Sequence, residues 1–225
     1  MKHWKRWLPN KNEQPAFFYL LLHTLVPMGI VTFGLCILRS APLTCLAYHA
    51  WCLTIASING GFKRMGRLPS VGECCIAVGV ATVASVLVVM LWRMTGDMIA
   101  DPDLCRLQIE HYRLPVDKWW LFAIYFVTVN PLLEEAYWRG VVHVRAKKLG
   151  IKSKFILALP FALWHVIPIW LVCGSSAAML GLLAVYGFGL LITRMVEQSQ
   201  SLVRAVLWHS LVADGAIIAL LFACL

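Results

Sequence analysis

Long apolar stretches separated by short charged segments run the length of the chain. They fall at about 16–38, 41–60, 72–92, 119–144, 155–173, 175–195 and 204–225. A spanning helix needs roughly 20 consecutive apolar residues. Each run reaches about that length, so the pattern predicts an all-α, polytopic transmembrane bundle of about seven spans. The second run is the weakest, because it carries His49 and Asn59. The first is about twice the length of a signal-peptide core and reads as a retained span. The 225 residues read as one membrane domain: a cytoplasmic N-terminus over 1–15, helices and an outer loop over 16–118, and a core over 119–225.

Composition agrees. The chain is 60% hydrophobic and 14% charged, with a mean hydropathy of +0.75. The net charge of +9 does not gather into a basic face, so no nucleic-acid partner is expected. The bases lie between apolar runs: Lys2, Lys5, Arg6 and Lys11; Lys63, Arg64 and Arg67; Arg145, Lys147, Lys148, Lys152 and Lys154; Arg194 and Arg204. With seven spans these segments share one side, which the positive-inside rule makes cytoplasmic. Segment 93–118 then becomes an outer loop, and 173–176 a short outer turn. Trp92, Trp119 and Trp120 fall at the outer interface, and Trp4 and Trp7 near the inner one. The eight cysteines show no metal-binding spacing and read as packing residues. The expected location is the bacterial cytoplasmic membrane, with the endoplasmic reticulum as the alternative.

Against this background "NPLLEEAYWRG", residues 130–140, is anomalous. It places Glu134, Glu135 and Arg139 inside an apolar run. Intramembrane charges cost roughly 2.5–3.5 kcal/mol each on insertion scales and mark interior or functional positions. Glu135 and Arg139 are four residues apart and can pair along one helix face. Glu134 points about 100° away from Glu135 and meets only Tyr137 and Trp138 at the next turn. It needs another explanation: proton carrier, metal ligand or general base. Counting from the run ends at 1.5 Å per residue, Glu134 and His165 each lie roughly 15 Å deep and His209 roughly 8 Å deep. These depths overlap in the cytoplasmic half of the bilayer. His23 and His49 are further buried histidines with no partner evident in the sequence, and His143 reads as snorkelling at the inner interface. Pro160 and Pro168 flank His165 and are expected to kink its helix. Pro131 is expected to break its run just before the Glu pair.

These residues resemble a known family. "EEAYWRG" is similar to the EExxxR motif of the CPBP intramembrane proteases, the CAAX protease and bacteriocin-processing or Abi family. "FALWH" resembles its FxxxH motif through Phe161 and His165. "HSLVAD" approximates its third motif, a His followed four residues later by Asn or Asp. Here Ala213 stands at that position and Asp214 one residue later. A regular helix turns Asp214 about 140° from His209. One extra residue, a π-turn, restores the pairing; otherwise Asp214 faces Ser210. Ile169 also stands where the family often has Asn. The resemblance covers roughly residues 119–220.

It implies peptide-bond hydrolysis within the membrane. Glu134 is then the general base for water, His165 positions that water, and His209 stabilises the oxyanion. Glu135, Arg139 and Asp214 support them, with a substrate carboxylate as an alternative partner for Arg139. No cofactor is required on this reading. Glu134, His165 and His209 are also an acceptable zinc set, which stays open. The expected partners are the lipid bilayer and a protein or peptide substrate, either lipidated or carrying a C-terminal sorting tag. Two other readings remain: a proton-coupled transporter using the same residues as a relay, and a non-catalytic membrane scaffold with a degenerate protease site.

Overall fold

The structure, a computed structural model, describes residues 14–99, 101–114 and 118–224. Lys2, Trp4, Lys5, Arg6, Trp7, Lys11 and Asp117 lie outside the described residues. Among the described residues the regular structure is wholly helical.

Helix α1 (Gln14–Thr32) ends in a π-turn over Phe33–Ile37. Ser40 caps α2 (Ala41–Ile58) by accepting from the Leu43 amide at 3.4 Å. A short 3₁₀ turn over Gly61–Arg64 leads to α3 (Val71–Ile99). At the start of α3 the Glu73 amide donates to Ser70 Oγ at 3.2 Å, and the Ser70 amide to Glu73 Oε2 at 2.8 Å. Each side chain thereby satisfies an amide at the helix start, a capping box.

The expected outer loop is more ordered than its polarity indicated. Helix α3 runs seven residues past its predicted end, and α4 (Pro102–His111) follows. Asp101 starts α4 by accepting from the Asp103 and Leu104 amides, and Pro102 sits where a missing N–H costs nothing.

Helix α5 (Trp119–Tyr137) runs through Pro131 without ending there. The change in backbone comes later, as a π-turn over Trp138–Val142, before α6 (His143–Lys148). The expected break at Pro131 is therefore not present.

Helix α7 (Lys154–Ser199) combines the fifth and sixth apolar runs. Pro160 and Pro168 lie inside it, yet the one residue with non-helical backbone is Gly174, at φ 86°. Glycine adopts positive φ at little steric cost. The rod is thus divided at the predicted outer turn. Helix α8 (Leu202–Trp208), a π-turn over His209–Asp214 and α9 (Gly215–Cys224) complete the chain.

Five described helical stretches are long and apolar enough to cross a membrane: Pro15–Ile37, Ala41–Ile58, Val71–Thr95, Lys154–Ser199 and Leu202–Ala223. The rod from α5 to α6 has the length but carries Glu134, Glu135 and Arg139. Helix α1 packs on α7, α2 on α5, and α3 on α9. At the centre lie Tyr48, Cys52, Tyr137, Trp138, Phe161 and Trp164.

Candidate active site

The site is built where α5 passes α2 and the π-turn after α8. Every residue from Leu133 to His143 is buried. Close backbone approach makes this possible. A Cβ on Gly61 would stand 2.4 Å from the Ala136 carbonyl oxygen, and one on Gly140 would stand 3.0 Å from the Gly61 oxygen. Glycine at both positions lets the α2–α3 turn lie directly on α5 and its π-turn.

Glu134 and Glu135 are fully buried, and Arg139, His209 and Asp214 are each at most 2% exposed. Arg139 Nη1 donates to Glu135 Oε1 at 2.8 Å, the pairing that the spacing along the helix predicts. The guanidinium also lies 4.2 Å from the centre of the Phe161 ring, and its Nη2 reaches the Gly189 carbonyl at 3.4 Å. Arg139 is thus held by the protein on several sides.

Glu135 Oε1 takes a second hydrogen bond, from His209 Nδ1 at 2.8 Å. The opposite ring nitrogen of His209, Nε2, stands 3.5 Å from Glu134 Oε2 and 3.5 Å from Asp214 Oδ1. This second contact depends on the π-turn His209–Asp214, whose extra residue brings Asp214 round to the face of His209. Ser210 does not pair with Asp214. Its hydroxyl donates to the Val127 carbonyl instead.

Glu134 has a different environment. Its Oε1 accepts from the Tyr48 hydroxyl at 2.5 Å. Its Oε2 is buried with no hydrogen-bond partner. Three carboxylates, Glu134, Glu135 and Asp214, thus face two bases, Arg139 and His209. Glu134 is the one of the three that lacks a short bond to a base or an amide.

His165 approaches the cluster from α7. Its Nδ1 lies 2.7 Å from the Phe161 carbonyl. A carbonyl only accepts, so Nδ1 carries the proton and Nε2 is left as an acceptor. Phe161 links it to the rest, with its ring centre 4.9 Å from His165 and 5.8 Å from His209. The zinc set proposed from sequence is not assembled. Tyr48 occupies one oxygen of Glu134, and among the described residues no three His, Cys, Asp or Glu side chains are arranged to hold a metal ion.

Several participants carried no signal in the sequence. Trp138 Nε1 donates to the Tyr48 oxygen at 3.1 Å, so Trp138 does more than pack. His49, without an evident partner in the sequence, has two: the Tyr125 hydroxyl and, at 2.8 Å, Asn130 Oδ1. Asn130 Nδ2 then donates to Asp214 Oδ2 at 3.0 Å. The donors all point one way: Tyr125 to His49, His49 to Asn130, Asn130 to Asp214. His23 is likewise engaged, with Nδ1 2.8 Å from the Tyr137 hydroxyl. His143 does not snorkel; it is 4% exposed, and its Nε2 has no partner.

Residues 116–213 match the family model described as type II CAAX prenyl endopeptidase Rce1-like. No curated protein and no solved structure matches the chain. The matched stretch contains Glu134, Glu135, Arg139, His165 and His209 and ends one residue before Asp214. Tyr48 and His49 lie outside it. Over residues 116–213 the chain is thus similar to the Rce1-like type II CAAX prenyl endopeptidases.

Proposed function

We propose that this integral membrane protein is an endopeptidase that hydrolyses a peptide bond in a membrane-tethered protein or peptide, near the substrate's C-terminus. The family match supports CAAX-type intramembrane protease activity. The observation that carries the finer reading is Glu134: a fully buried carboxylate with one oxygen held by Tyr48 and the other unpartnered beside His209.

In this mechanism a water bound at Glu134 Oε2 loses a proton to the carboxylate and attacks the scissile carbonyl. His165 Nε2 accepts a hydrogen bond from the same water. As the tetrahedral intermediate forms, its oxyanion accepts from protonated His209, whose charge is balanced by Glu135 and Asp214. Preorganised donors of this kind usually contribute the largest share of such catalysis. Glu134 then passes its proton to the leaving amine, and the carboxylate is regenerated. The reaction uses side chains alone.

The N-terminus is assigned to the cytoplasm and the site to the cytoplasmic half of the bilayer, on the strength of the basic segments. A bacterial cytoplasmic membrane fits that charge pattern. Substrates of suitable chemistry carry a lipid anchor or a C-terminal sorting tag near the cleaved bond.

The test is cleavage of an internally quenched, farnesylated peptide by the purified protein in lipid nanodiscs. Glu134→Gln is expected to lower kcat by about 10²–10⁴-fold, the share a positioned general base supplies. The variant should fold as the native protein does. A metal chelator is expected to leave the rate unchanged. Peptidomics of cells carrying Glu134→Gln should show one precursor accumulating. Full cleavage by Glu134→Gln would sink the proposal.

A further inference from the structure

Helix α2 lies outside the stretch that matches the family model, yet among the described residues it supplies the one hydrogen bond made to the Glu134 carboxylate. We infer that Tyr48 is a positioning residue for Glu134: it holds one carboxylate oxygen and keeps the other free to take the proton of water. This inference rests on the reading of Glu134 as the base.

The direction of the bond follows from the neighbours. Trp138 Nε1 points at the Tyr48 oxygen from 3.1 Å. An indole N–H only donates, so the phenol oxygen accepts from it, and its own hydrogen goes to Glu134 Oε1. The phenol is fixed in place. Tyr48 is 3% exposed, and its ring centre lies 4.6 Å from that of Trp164.

A bland alternative is that Tyr48 only fills space. Phenylalanine fills nearly the same space, and a buried hydroxyl costs free energy unless it is bonded. The neighbouring Tyr137 shows the contrast. Its hydroxyl is equally buried, but it pairs with His23 and Trp51 and, among the described residues, with no carboxylate.

The role follows from the charges. Glu134 Oε2 stands 3.5 Å from His209 Nε2, just beyond a good hydrogen bond. Two buried groups of opposite charge at that separation attract strongly. If the carboxylate swung toward the imidazole, both base and oxyanion donor would be consumed in an unproductive ion pair. The Tyr48 bond holds the opposite edge of the carboxylate and resists that closure.

The test compares native protein, Tyr48→Phe and Glu134→Gln in nanodiscs, with the farnesylated quenched peptide as probe. Tyr48→Phe is expected to lower kcat about 10- to 100-fold, the cost of one hydrogen bond to a charged group, while KM stays near the native value. Incorporating 3-fluorotyrosine at position 48 restores the hydroxyl and should restore most of kcat. A second measurement needs no turnover. The infrared carboxylate band lost in Glu134→Gln belongs to Glu134, and it should shift in Tyr48→Phe.

An unshifted band, or a loss seen only in KM, overturns the role of Tyr48 even if Glu134 is the base. Full cleavage by Glu134→Gln, with the band still shifting in Tyr48→Phe, removes the protease reading but leaves the hydrogen bond standing. Should Tyr48→Phe fail to fold, the fluorotyrosine protein decides. An unshifted band there overturns the proposal, because a more acidic phenol must donate more strongly.

Discussion

Helix α3 and the second half of α5 are built on opposite plans. In α3 only 6% of the apolar window is buried, and Val83, Leu87, Met90 and Leu91 are more than half exposed. In α5 and its π-turn the chain from Leu133 to His143 is buried without interruption, and Glu134, Glu135 and Arg139 lie on it. A soluble protein would reverse this arrangement. In lipid the apolar side chain gains nothing by hiding, whereas a charge must find a partner inside the bundle. Position within the bundle therefore follows polarity, and the charged residues that interrupt an apolar run mark its centre.

The largest expected effect comes from breaking the buried charge balance. Arg139→Met removes one of the two bases that face Glu135, Glu134 and Asp214. Removing one partner of a buried pair typically costs about 3–5 kcal/mol. Thermal unfolding in nanodiscs should show that loss, with cleavage lost as well. A native melting profile would mean that the cluster is not the structural centre the comparison makes it. A smaller loss is expected where backbone meets backbone. Gly61→Ala puts a methyl 2.4 Å from the Ala136 oxygen, and overpacking of this kind costs about 1–3 kcal/mol. The same melting measurement checks it. The smallest effect belongs to α3. Leu87→Ala on the exposed stripe should change stability by less than about 0.5 kcal/mol, as surface substitutions usually do. A loss above 1 kcal/mol, on the order of a buried-contact deletion, would show that this stripe packs against protein and would undo the contrast.

The legible parts of the site were those carried on one helix. Glu135 and Arg139 pair because four residues make slightly more than one turn, and this is visible in the letters. The spacing of His209 and Asp214 was legible as a conflict: a regular helix separates them, and the structure resolves it with a π-turn at His209–Asp214. His143 stands near the end of an apolar run, which in the letters alone reads as an interfacial position. In fact α6 extends past it, and the bundle covers that turn. The outer segment looked like loop because its polarity is mixed, yet Asp101 and Pro102 form a helix start of the ordinary kind.

By itself the sequence determined the long apolar helices and the spacing of the three motifs, because apolar length and helical spacing are local properties of a chain. Only the tertiary structure decided that Tyr48 meets Glu134 and that His49 supports Asp214 through Asn130. Those contacts join residues 86 and 81 positions apart at the first links. They depend on how α2 lies against α5, and no local pattern encodes the packing of one helix on another.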